Sequence, residues 1–439
     1  MGERTGRPLT LAVIGCGARG QTYVKLMMEH YENLFRVVAA VDPQQSRREK
    51  IKMLSQGHGA LQTFQTADEF LQEERIADMV LIATQDHLHY KVAKAALNKG
   101  YDILLEKPIA TNPEDVLDLA TTAKALHRRV MVCHVLRFAP LYQTIKRIVA
   151  SGTLGEIVSA HATEGVGPWH FAHSYVRGHW RQSSESSPII LAKSCHDLDI
   201  LSWIMDDVCI SASSHGSQNV FKAENVPSGA PKRCTDGCPH SEQCLYNAER
   251  YADRERRWLS LVWDDSTDVP NGKHGGEAVR EWLQSSPWGR CVWRCDNDQP
   301  DHQTAQFEFS RGQTATFTVT AFATGRTLEL YGTAGTLRAG ETIEIANHAT
   351  GETQTVPLHS SNPAGVVSEE YQEHGGGDFG LISRLYQEIT AEDPSTMIAG
   401  IEGAVQSHLM AFAAEESRQT GRTVSLLQRW GQVYSTKDV

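Results

Sequence analysis

The glycine-rich segment GCGARG, which directly follows an apolar run at residues 9–14, is the feature that most restricts the fold. A short apolar strand that ends in three glycines at this spacing and continues as a helical pattern is typical of a dinucleotide-binding βαβ unit. The first glycine permits a tight turn, the second lets backbone approach a pyrophosphate, and the third lets the helix pack on the strand. N–H groups at the helix N-terminus favour phosphate. The predicted cofactor contacts are Gly15, Gly17, Ala18, Arg19 and Gly20.

An acidic residue ends the second apolar run, at residues 37–41. Asp42 stands at roughly the spacing expected for the carboxylate that binds the adenosine ribose hydroxyls. A carboxylate there repels a 2′-phosphate and favours NAD over NADP, although Arg47 and Arg48 follow closely. The alternative is a glycine-rich turn followed by a strand-end aspartate, without a ligand.

Three further apolar runs, at residues 79–83, 101–105 and 130–133, predict parallel strands that end in TQDHLH, EKP and HVLRF. Ligands of open parallel sheets bind beyond the carboxyl ends of the strands, so these ends should surround the nicotinamide. The candidate cofactor contacts there are Thr84, His87, His89, Glu106, Lys107 and Arg137. These βα units predict an NAD-binding Rossmann domain over residues 1–135.

Length and charge restrict the remaining possibilities. A chain of 439 residues exceeds what one hydrophobic core usually serves, so a second domain is expected. A formal net charge of −11 argues against nucleic acid or an anionic membrane as a partner, since both need a basic surface. No apolar stretch suits a bilayer span, and the first residues lack the pattern of a signal peptide. We therefore expect a cytoplasmic protein.

Several motifs in order resemble the Gfo/Idh/MocA family, which includes glucose-fructose oxidoreductase and inositol dehydrogenase. They are GCGARG, ATQDHLH, EKPIATN, HVLRFAPLYQTIKRIVASGTLGEI, SCHDLDILSWI and ELYGTAGTL. The resemblance implies an α/β chain: an N-terminal Rossmann domain, then an α/β domain over residues 136–439 with an open, mostly antiparallel sheet. It also implies a homodimer or homotetramer.

The same resemblance places Lys107 of EKP beside the nicotinamide and the reacting hydroxyl. A partly desolvated lysine next to a cationic ring has its charged form disfavoured, which suits it to exchange a hydroxyl proton. The alternative is a structural pair with Glu106.

His196 of SCHDLD matches the family's active-site histidine. The aspartate usual four residues earlier is missing, because Ala192 stands there, followed by Lys193. Either Asp197, Asp199 or another segment supplies the carboxylate, or the site performs different chemistry around the same hydride step. The two aspartates could also simply orient His196 or cap a helix.

A segment between residues 164 and 197 concentrates cationic and aromatic groups in an otherwise acidic chain. Aromatic faces stack on sugar rings, and guanidinium groups grip carboxylate, sulfonate or phosphate. The candidate substrate contacts are Trp169, His173, Arg177, His179, Trp180, Arg181 and Asp199. An anionic or heavily hydroxylated sugar is one hypothesis, and a solvated loop or subunit contact is the other.

A cysteine-rich stretch lies within a predicted insertion at about residues 220–300. Cys234, Cys238 and Cys244 could bind zinc, but their spacing differs from that of known zinc modules. Buried or loosely paired thiols are favoured, and no metal is predicted.

The segment HGGGDF holds His374 and Asp378 beside three glycines, which let backbone approach a ligand closely. It resembles the HGG-x-D stretch in the family branch that contains NAD-dependent glycosidases. With Lys107, His196 and Lys193, these two residues complete the predicted catalytic set. The alternative is a helix-entry loop.

Three functions follow from these motifs. The favoured one is a redox-neutral glycoside hydrolase that oxidises a sugar at C3, eliminates the aglycone across C1 and C2, adds water and reduces the ketone. An anionic sugar such as a sulfoquinovoside is a possible substrate. The alternatives are a net NAD-dependent sugar or polyol dehydrogenase and a non-catalytic NAD-binding regulator.

Overall fold

A computed structural model describes residues 7–55, 60–252, 276–357, 373–393 and 396–434. Within these residues the chain forms two separate β-sheets, one of six strands and one of nine. No helix in the described ranges is long and apolar enough to cross a membrane.

The six-stranded sheet is entirely parallel, with strand order β3-β2-β1-β4-β5-β6. Its strands are β1 (Leu9–Ile14), β2 (Phe35–Val41), β3 (Gln62–Phe64), β4 (Met79–Ile82), β5 (Asp102–Leu105) and β6 (Val130–Val132). The connecting helices are α1 (Ala18–His30), α2 (Gln45–Leu54), α3 (Ala67–Gln72), α4 (His89–Asn98) and α5 (Pro113–Ala125). The central strands β1, β4 and β5 read as almost continuous apolar runs because helices cover both faces. The predicted Rossmann fold is confirmed.

The nine-stranded sheet is antiparallel except where β7 pairs in parallel with β10. Its strands are β7 (Ile157–Val166), β8 (Cys209–Ser217), β9 (His302–Phe309), β10 (Thr314–Thr320), β11 (Thr324–Gly332), β12 (Gly335–Ala339), β13 (Ile343–Asn347), β14 (Thr353–Val356) and β15 (Val424–Ser425). Buried and exposed residues alternate along β9 and β10, as expected for a sheet with one covered face. The predicted open, mostly antiparallel sheet is confirmed.

Eight helices in the described residues accompany this second half of the chain. They are α6 (Pro140–Ala150), α7 (Pro168–Phe171), α8 (Ile189–Ala192), α9 (Cys195–Met205), α10 (Gly276–Ser285), α11 (Gly377–Thr390), α12 (Ile401–Thr420) and α13 (Leu426–Tyr434). Helix α12 packs against α9 and against β9, β8 and β15 at one end of the antiparallel sheet. The apolar core at this junction is shared with the Rossmann sheet.

Helix α11 lies late in the sequence but packs in the core of the Rossmann half. Its apolar residues Phe379, Leu381 and Leu385 join the same buried cluster as Leu11 and Tyr23. Two glycines allow this approach: a Cβ on Gly377 would lie 2.4 Å from the carbonyl oxygen of residue 135, and one on Gly380 2.5 Å from that of residue 138. Helix α11, which lies in the stretch predicted as the second domain, therefore packs in the core of the first.

The predicted insertion at about residues 220–300 contains short 3₁₀ turns and helix α10, and it has a small apolar core of its own. That core includes Tyr251, Leu283 and Trp288, with Trp169 packed against it. The insertion thus docks on the segment that follows β7. Residues 253–275 of it lie outside the described residues.

Candidate active site

The glycine loop between β1 and α1 has the form that a dinucleotide requires. Gly15 has a φ of +93°, and a Cβ there would lie 2.4 Å from the carbonyl oxygen of Ala83. A Cβ on Gly20 would lie 2.3 Å from the carbonyl oxygen of Gly15. Gly17, the N-cap of α1, has no side-chain cap and open space around its Cα. The first-turn N–H groups can therefore receive a pyrophosphate.

Asp42 is fixed beside this loop at the end of β2. Its Oδ2 accepts the N–H of Cys16 at 3.0 Å, and its Oδ1 accepts the N–H of Gln44 at 2.9 Å. The Nη1 atom of Arg47 lies 4.0 Å from Oδ2. The carboxylate thus occupies the place where it can bind ribose hydroxyls, and the loop and Asp42 together fit NAD.

We expect Asp42→Asn to lower the preference for NAD over NADP. Loss of the negative charge removes the repulsion of a 2′-phosphate, and an amide binds ribose hydroxyls less strongly than a carboxylate does. The Kd ratio of the two cofactors, measured by calorimetry, should change by about tenfold or more in favour of NADP. Asp68→Asn, at an exposed aspartate paired with Lys91, is the matched control. An unchanged ratio would contradict the role given to Asp42.

Lys107 follows β5 and is half-buried. Its Nζ donates to the carbonyl oxygen of Ala192 at 2.9 Å, so the main chain of residue 192 holds the lysine side chain in place. The alternative pair with Glu106 is not formed: Oε1 of Glu106 instead accepts from Arg19 and Tyr23, both at 2.8 Å.

His196 lies in the first turn of α9 and is buried. Its ring centroid is 5.7 Å from that of His374 and 5.8 Å from that of His134. Burial, and then the charge of Lys107 and the two neighbouring imidazoles, holds the pKa of His196 well below its usual value. His196 is therefore neutral at physiological pH and can accept a hydrogen bond.

His374 and Asp378 form a hydrogen-bonded pair beside His196. Nδ1 of His374 lies 2.8 Å from Oδ2 of Asp378, which leaves Nε2 to exchange a proton. Burial opposes ionisation of Asp378, but the guanidinium of Arg19 and the hydrogen bond with His374 together outweigh it and keep the pKa of Asp378 well below its usual range. The His374 side chain is 27% exposed, so a substrate can reach it. We call this pair the His374–Asp378 dyad.

Lys193 belongs to a compact cluster of four charged groups. Its Nζ lies 3.3 Å from Oε1 of Glu164, while Nε of Arg326 lies 2.8 Å from Oε2 of Glu164 and 2.7 Å from Oδ1 of Asp197. Burial lowers the pKa of Lys193. Burial, together with the negative charge of Glu164, outweighs Arg326 and raises the pKa of Asp197 to about 6.

Sequence reasoning missed Glu164 and Arg326, and it noted His170 only among the cationic and aromatic groups of the loop, not among the candidate site residues. The first two are directly paired in register across β7 and β11, which a sequence without known strand pairing does not show. Burial, and then the charge of Lys193, lowers the pKa of His170 to about 2, which places this imidazole in the electrostatic range of the cluster. His170 lies inside the loop that the sequence singled out.

The raised pKa of Asp197 predicts a pH-dependent stability. Its folded-state pKa exceeds the ordinary 3.8, so the fold favours the protonated acid, and the free energy of unfolding should fall as pH rises from about 4 through about 6. Asp197→Asn mimics the protonated form and does not titrate. Its free energy of unfolding relative to that of wild type should therefore rise by roughly 2 kcal/mol as the pH increases from 4 to 7. Denaturant titrations at both pH values measure it.

Asp118→Asn is the control with the opposite sign, because the hydrogen bond from Lys94 lowers the pKa of Asp118. A pH-independent difference between wild type and Asp197→Asn would contradict the prediction.

Two predicted contacts, Arg137 and Asp199, are engaged with each other instead. Nε and Nη2 of Arg137 lie 2.7 Å from the two oxygens of Asp199, and Nη1 donates to the carbonyl oxygen of Ile398 at 2.6 Å. Both are buried. The structure thus assigns them to the junction with α12 and withdraws the predicted cofactor role of Arg137 and substrate role of Asp199.

The predicted substrate loop is likewise used for internal contacts. Arg177 is 1% exposed and donates to the carbonyl oxygens of Arg290 and Tyr246, both at 2.7 Å. His173 hydrogen-bonds Tyr251, whose ring lies 5.1 Å from that of Trp169. These side chains hold the insertion in place, so the anion-gripping role predicted for Arg177 is corrected.

The remaining loop residues face outward or toward the Rossmann half. Arg181 pairs with Asp296 and Glu185, both at 3.2 Å. Trp180 donates its Nε1–H to Asp86 at 3.1 Å, and His179 is exposed. Arg181 is thus paired with two carboxylates, and its role as an anion contact stays a prediction.

The end of β4 contains three further predicted cofactor contacts. His89 is buried, with Nδ1 2.6 Å from the carbonyl oxygen of Pro108 and Nε2 3.1 Å from that of Thr84. It therefore ties the end of β4 to the EKP segment. Thr84 Oγ1 is buried and has no hydrogen-bond partner in the described part of the chain, whereas His87 is exposed.

Cys234, Cys238 and Cys244 line one small cavity of about 20 Å³, together with Cys291 and Arg177. Among the described residues, no three His, Cys, Asp or Glu side chains are placed to hold a metal ion. The cysteines are free thiols.

The parallel sheet, the glycine loop and the lysine–histidine site together define an NAD-binding oxidoreductase. The chain belongs to the Gfo/Idh/MocA family: the model described as oxidoreductase family, NAD-binding Rossmann fold, matches residues 9–134, and the model of its C-terminal alpha/beta domain matches residues 146–426. The predicted family and the NAD cofactor are confirmed.

Relatives differ in how much of the chain they match. A putative oxidoreductase YteT of Bacillus subtilis is 22% identical over 90% of this chain and 93% of its own length. Inositol 2-dehydrogenase 2 of Saccharopolyspora erythraea is 26% identical over 47% of this chain and 57% of its own length. The 2,7-anhydro-N-acetylneuraminate hydratase of Escherichia coli is 25% identical over 46% of this chain and 50% of its own length. The chain thus spans about half the length of these last two relatives.

Solved structures share the fold. An oxidoreductase from Agrobacterium radiobacter in complex with NAD+, L-tartaric acid and magnesium is 16% identical, with a TM-score of 0.67 over 96% of this chain and 99% of that one. Scyllo-inositol dehydrogenase from Lactobacillus casei, with bound NAD(H) and scyllo-inositol, is 15% identical, with a TM-score of 0.63. The match covers 96% of this chain and 99% of that one.

Proposed function

We propose that this chain is an NAD-dependent carbohydrate-active enzyme that hydrolyses a glycoside without net oxidation. The observation that carries the proposal is the His374–Asp378 dyad beside His196. A simple alcohol dehydrogenation moves one proton, which Lys107 and His196 suffice to handle. A second acid–base pair suits a reaction that must also break a C–H bond and protonate a leaving group.

Each group has a role in this proposal. Bound NAD supplies the acceptor, and later the donor, of a hydride at the sugar carbon. Lys107 takes the proton of the reacting hydroxyl, and neutral His196 accepts a hydrogen bond from the same hydroxyl or passes the proton on. Lys193, held by Glu164, orients the neighbouring hydroxyls.

The dyad performs the second proton transfer. A carbonyl at C3 makes the hydrogen on C2 acidic, and His374 removes it as a general base. The released electron pair forms the C1–C2 double bond as the C1–O bond breaks, and the aglycone oxygen takes up a proton. Water then adds, with hydroxyl on C1 and hydrogen on C2. Asp378 stays ionised throughout and stabilises the imidazolium of His374.

The charges around Lys107 favour a neutral, hydroxylated sugar over an anionic one. Lys193 and Arg326 are each already paired with a carboxylate, Glu164 or Asp197. The cluster therefore offers both donors and acceptors, which is what sugar hydroxyls need. A neutral aryl glycoside should be turned over with a higher kcat/KM than its uronic or sulfonated counterpart.

The second candidate, a net sugar or polyol dehydrogenase, is favoured by the relatives that are named inositol 2-dehydrogenases. The E. coli relative, named a hydratase, favours redox-neutral chemistry instead. A homodimer or homotetramer in the cytoplasm stays a prediction.

Incubation with NAD and aryl glycosides in deuterated water separates the candidates. Release of aglycone with deuterium at C2 and no net NADH is the expected result. Stoichiometric NADH would replace the proposal by the dehydrogenase, and tight NAD binding without turnover of any sugar or polyol would replace it by the regulator.

A further inference from the structure

Arg19, the second residue of α1, connects two segments that lie far apart in the sequence. Its Nε donates to Oε1 of Glu106 at 2.8 Å, and its Nη1 lies 3.3 Å from Oδ2 of Asp378. Its Nη2 contacts the other oxygen of Asp378 and the hydroxyl of Tyr23. One guanidinium therefore holds both the EKP segment and the HGGGDF segment.

These contacts occupy most of the hydrogen-bond donors of Arg19. A guanidinium carries five N–H groups, and the bonds to Glu106, Asp378 and Tyr23 account for four of them. The carboxylates are 7% and 4% exposed, so each would be a costly buried charge without this cation. Arg19 is thus committed to internal partners and not to a cofactor phosphate.

Both partners of Arg19 lead directly to acid–base groups. Oε2 of Glu106 accepts the N–H of Lys107 at 3.0 Å, which fixes the main chain of the lysine. Oδ2 of Asp378 orients His374 through Nδ1. Helix α11, which carries Asp378, packs on the Rossmann core, and Arg19 is the polar tie at its N-terminal end.

We propose that Arg19 is a positioning residue that sets Lys107 and the His374–Asp378 dyad in their places relative to α1, the helix that receives the dinucleotide phosphates. The proposal replaces the sequence-based expectation that Arg19 binds the cofactor directly. It rests on the role proposed above for the dyad.

Amide hydrogen exchange and NAD affinity test the positioning without substrate. In Arg19→Met, amides of residues 374–380 should exchange about tenfold faster or more, because the tie to Asp378 is lost. The Kd for NAD should stay within about threefold, since the backbone of the glycine loop still binds the phosphates. Arg338→Met, at an exposed arginine next to Glu329, is the control and should change neither value.

The split between kcat and KM is a readout that a purely structural role of Arg19 would not change. Arg19→Met should lower kcat far more than it changes KM, and Arg19→Lys should recover part of kcat because an ammonium can pair with one carboxylate. Asp378→Asn should lower kcat less in the Arg19→Met background than in wild type, since both changes break the same connection.

Two results would overturn the proposal. If Arg19→Met weakens NAD by more than about tenfold without faster exchange at residues 374–380, Arg19 is a phosphate ligand. If exchange and kcat are both unchanged, Arg19 positions nothing. Should Arg19→Met not fold, Asp378→Asn and Arg19→Lys decide in the same assays. Exchange and NAD affinity do not depend on which sugar reaction is catalysed, so the positioning can hold even if the glycosidase proposal fails.

Discussion

Lys107→Met is expected to lower turnover by about 10³-fold or more while NAD affinity stays within about threefold. Methionine has a similar length and preserves the packing around residue 107, but it cannot take the proton of a substrate hydroxyl. The Nζ atom donates to the carbonyl oxygen of Ala192, and the nearby carboxylate of Glu106 keeps its bond from Arg19 when the ammonium is removed. Steady-state kinetics and calorimetric NAD titration measure the two quantities.

Lys91→Met is the matched control, because Lys91 is exposed and pairs with the equally exposed Asp68. It should turn over at the wild-type rate. If Lys107→Met retains more than about a tenth of the wild-type kcat, proton transfer does not pass through Lys107. If NAD binding is lost together with turnover, Lys107 serves cofactor binding instead.

The cofactor half of the site could be predicted from the sequence because its signals are local. The apolar run of β1, the three glycines and Asp42 lie within a few dozen residues, and each obeys a steric or electrostatic requirement. Parallel strands also bring their carboxyl ends to one edge of the sheet. Lys107 after β5 could therefore be placed before its contacts were known.

The charged cluster around Lys193 could not be predicted because it depends on strand register. Glu164 and Arg326 are separated by 162 positions in the chain and meet only because β7 pairs with β11. Composition also misled at Arg177: a guanidinium among aromatic residues suits an anionic sugar, yet the same chemistry suits buried carbonyl oxygens. Sequence alone does not tell a buried cation from an accessible one.

The glycines around the HGGGDF segment have a structural use that the sequence did not suggest. Its glycines were expected to let backbone approach a ligand, and two of the local glycines, Gly377 and Gly380, instead let α11 approach the turn at residues 135–138. That close packing brings Asp378 to Arg19 and His374 to His196. The helix belongs to the Rossmann core, which the order of the chain does not reveal.

In the proposed redox-neutral reaction the dyad serves the elimination and not the hydride transfer, so its removal should separate two half-reactions. We expect His374→Asn to retain reduction of bound NAD by a glycoside in a single turnover, within about fivefold, because Lys107 and His196 are intact. Deuterium incorporation at C2 and aglycone release should fall by about 10²-fold to 10³-fold, because the proposed base is absent. Rapid-mixing absorbance and mass spectrometry follow the two half-reactions.

His348→Asn, in the exposed turn between β13 and β14, is the control and should leave both half-reactions unchanged. The expected pattern is an enzyme trapped with a reduced cofactor and an oxidised sugar, since hydride removal proceeds and elimination does not. Equal losses in both half-reactions would mean that His374 only shapes the site around His196. Full aglycone release with deuterium at C2 would remove the dyad from the mechanism, and another base would have to be found near Lys193.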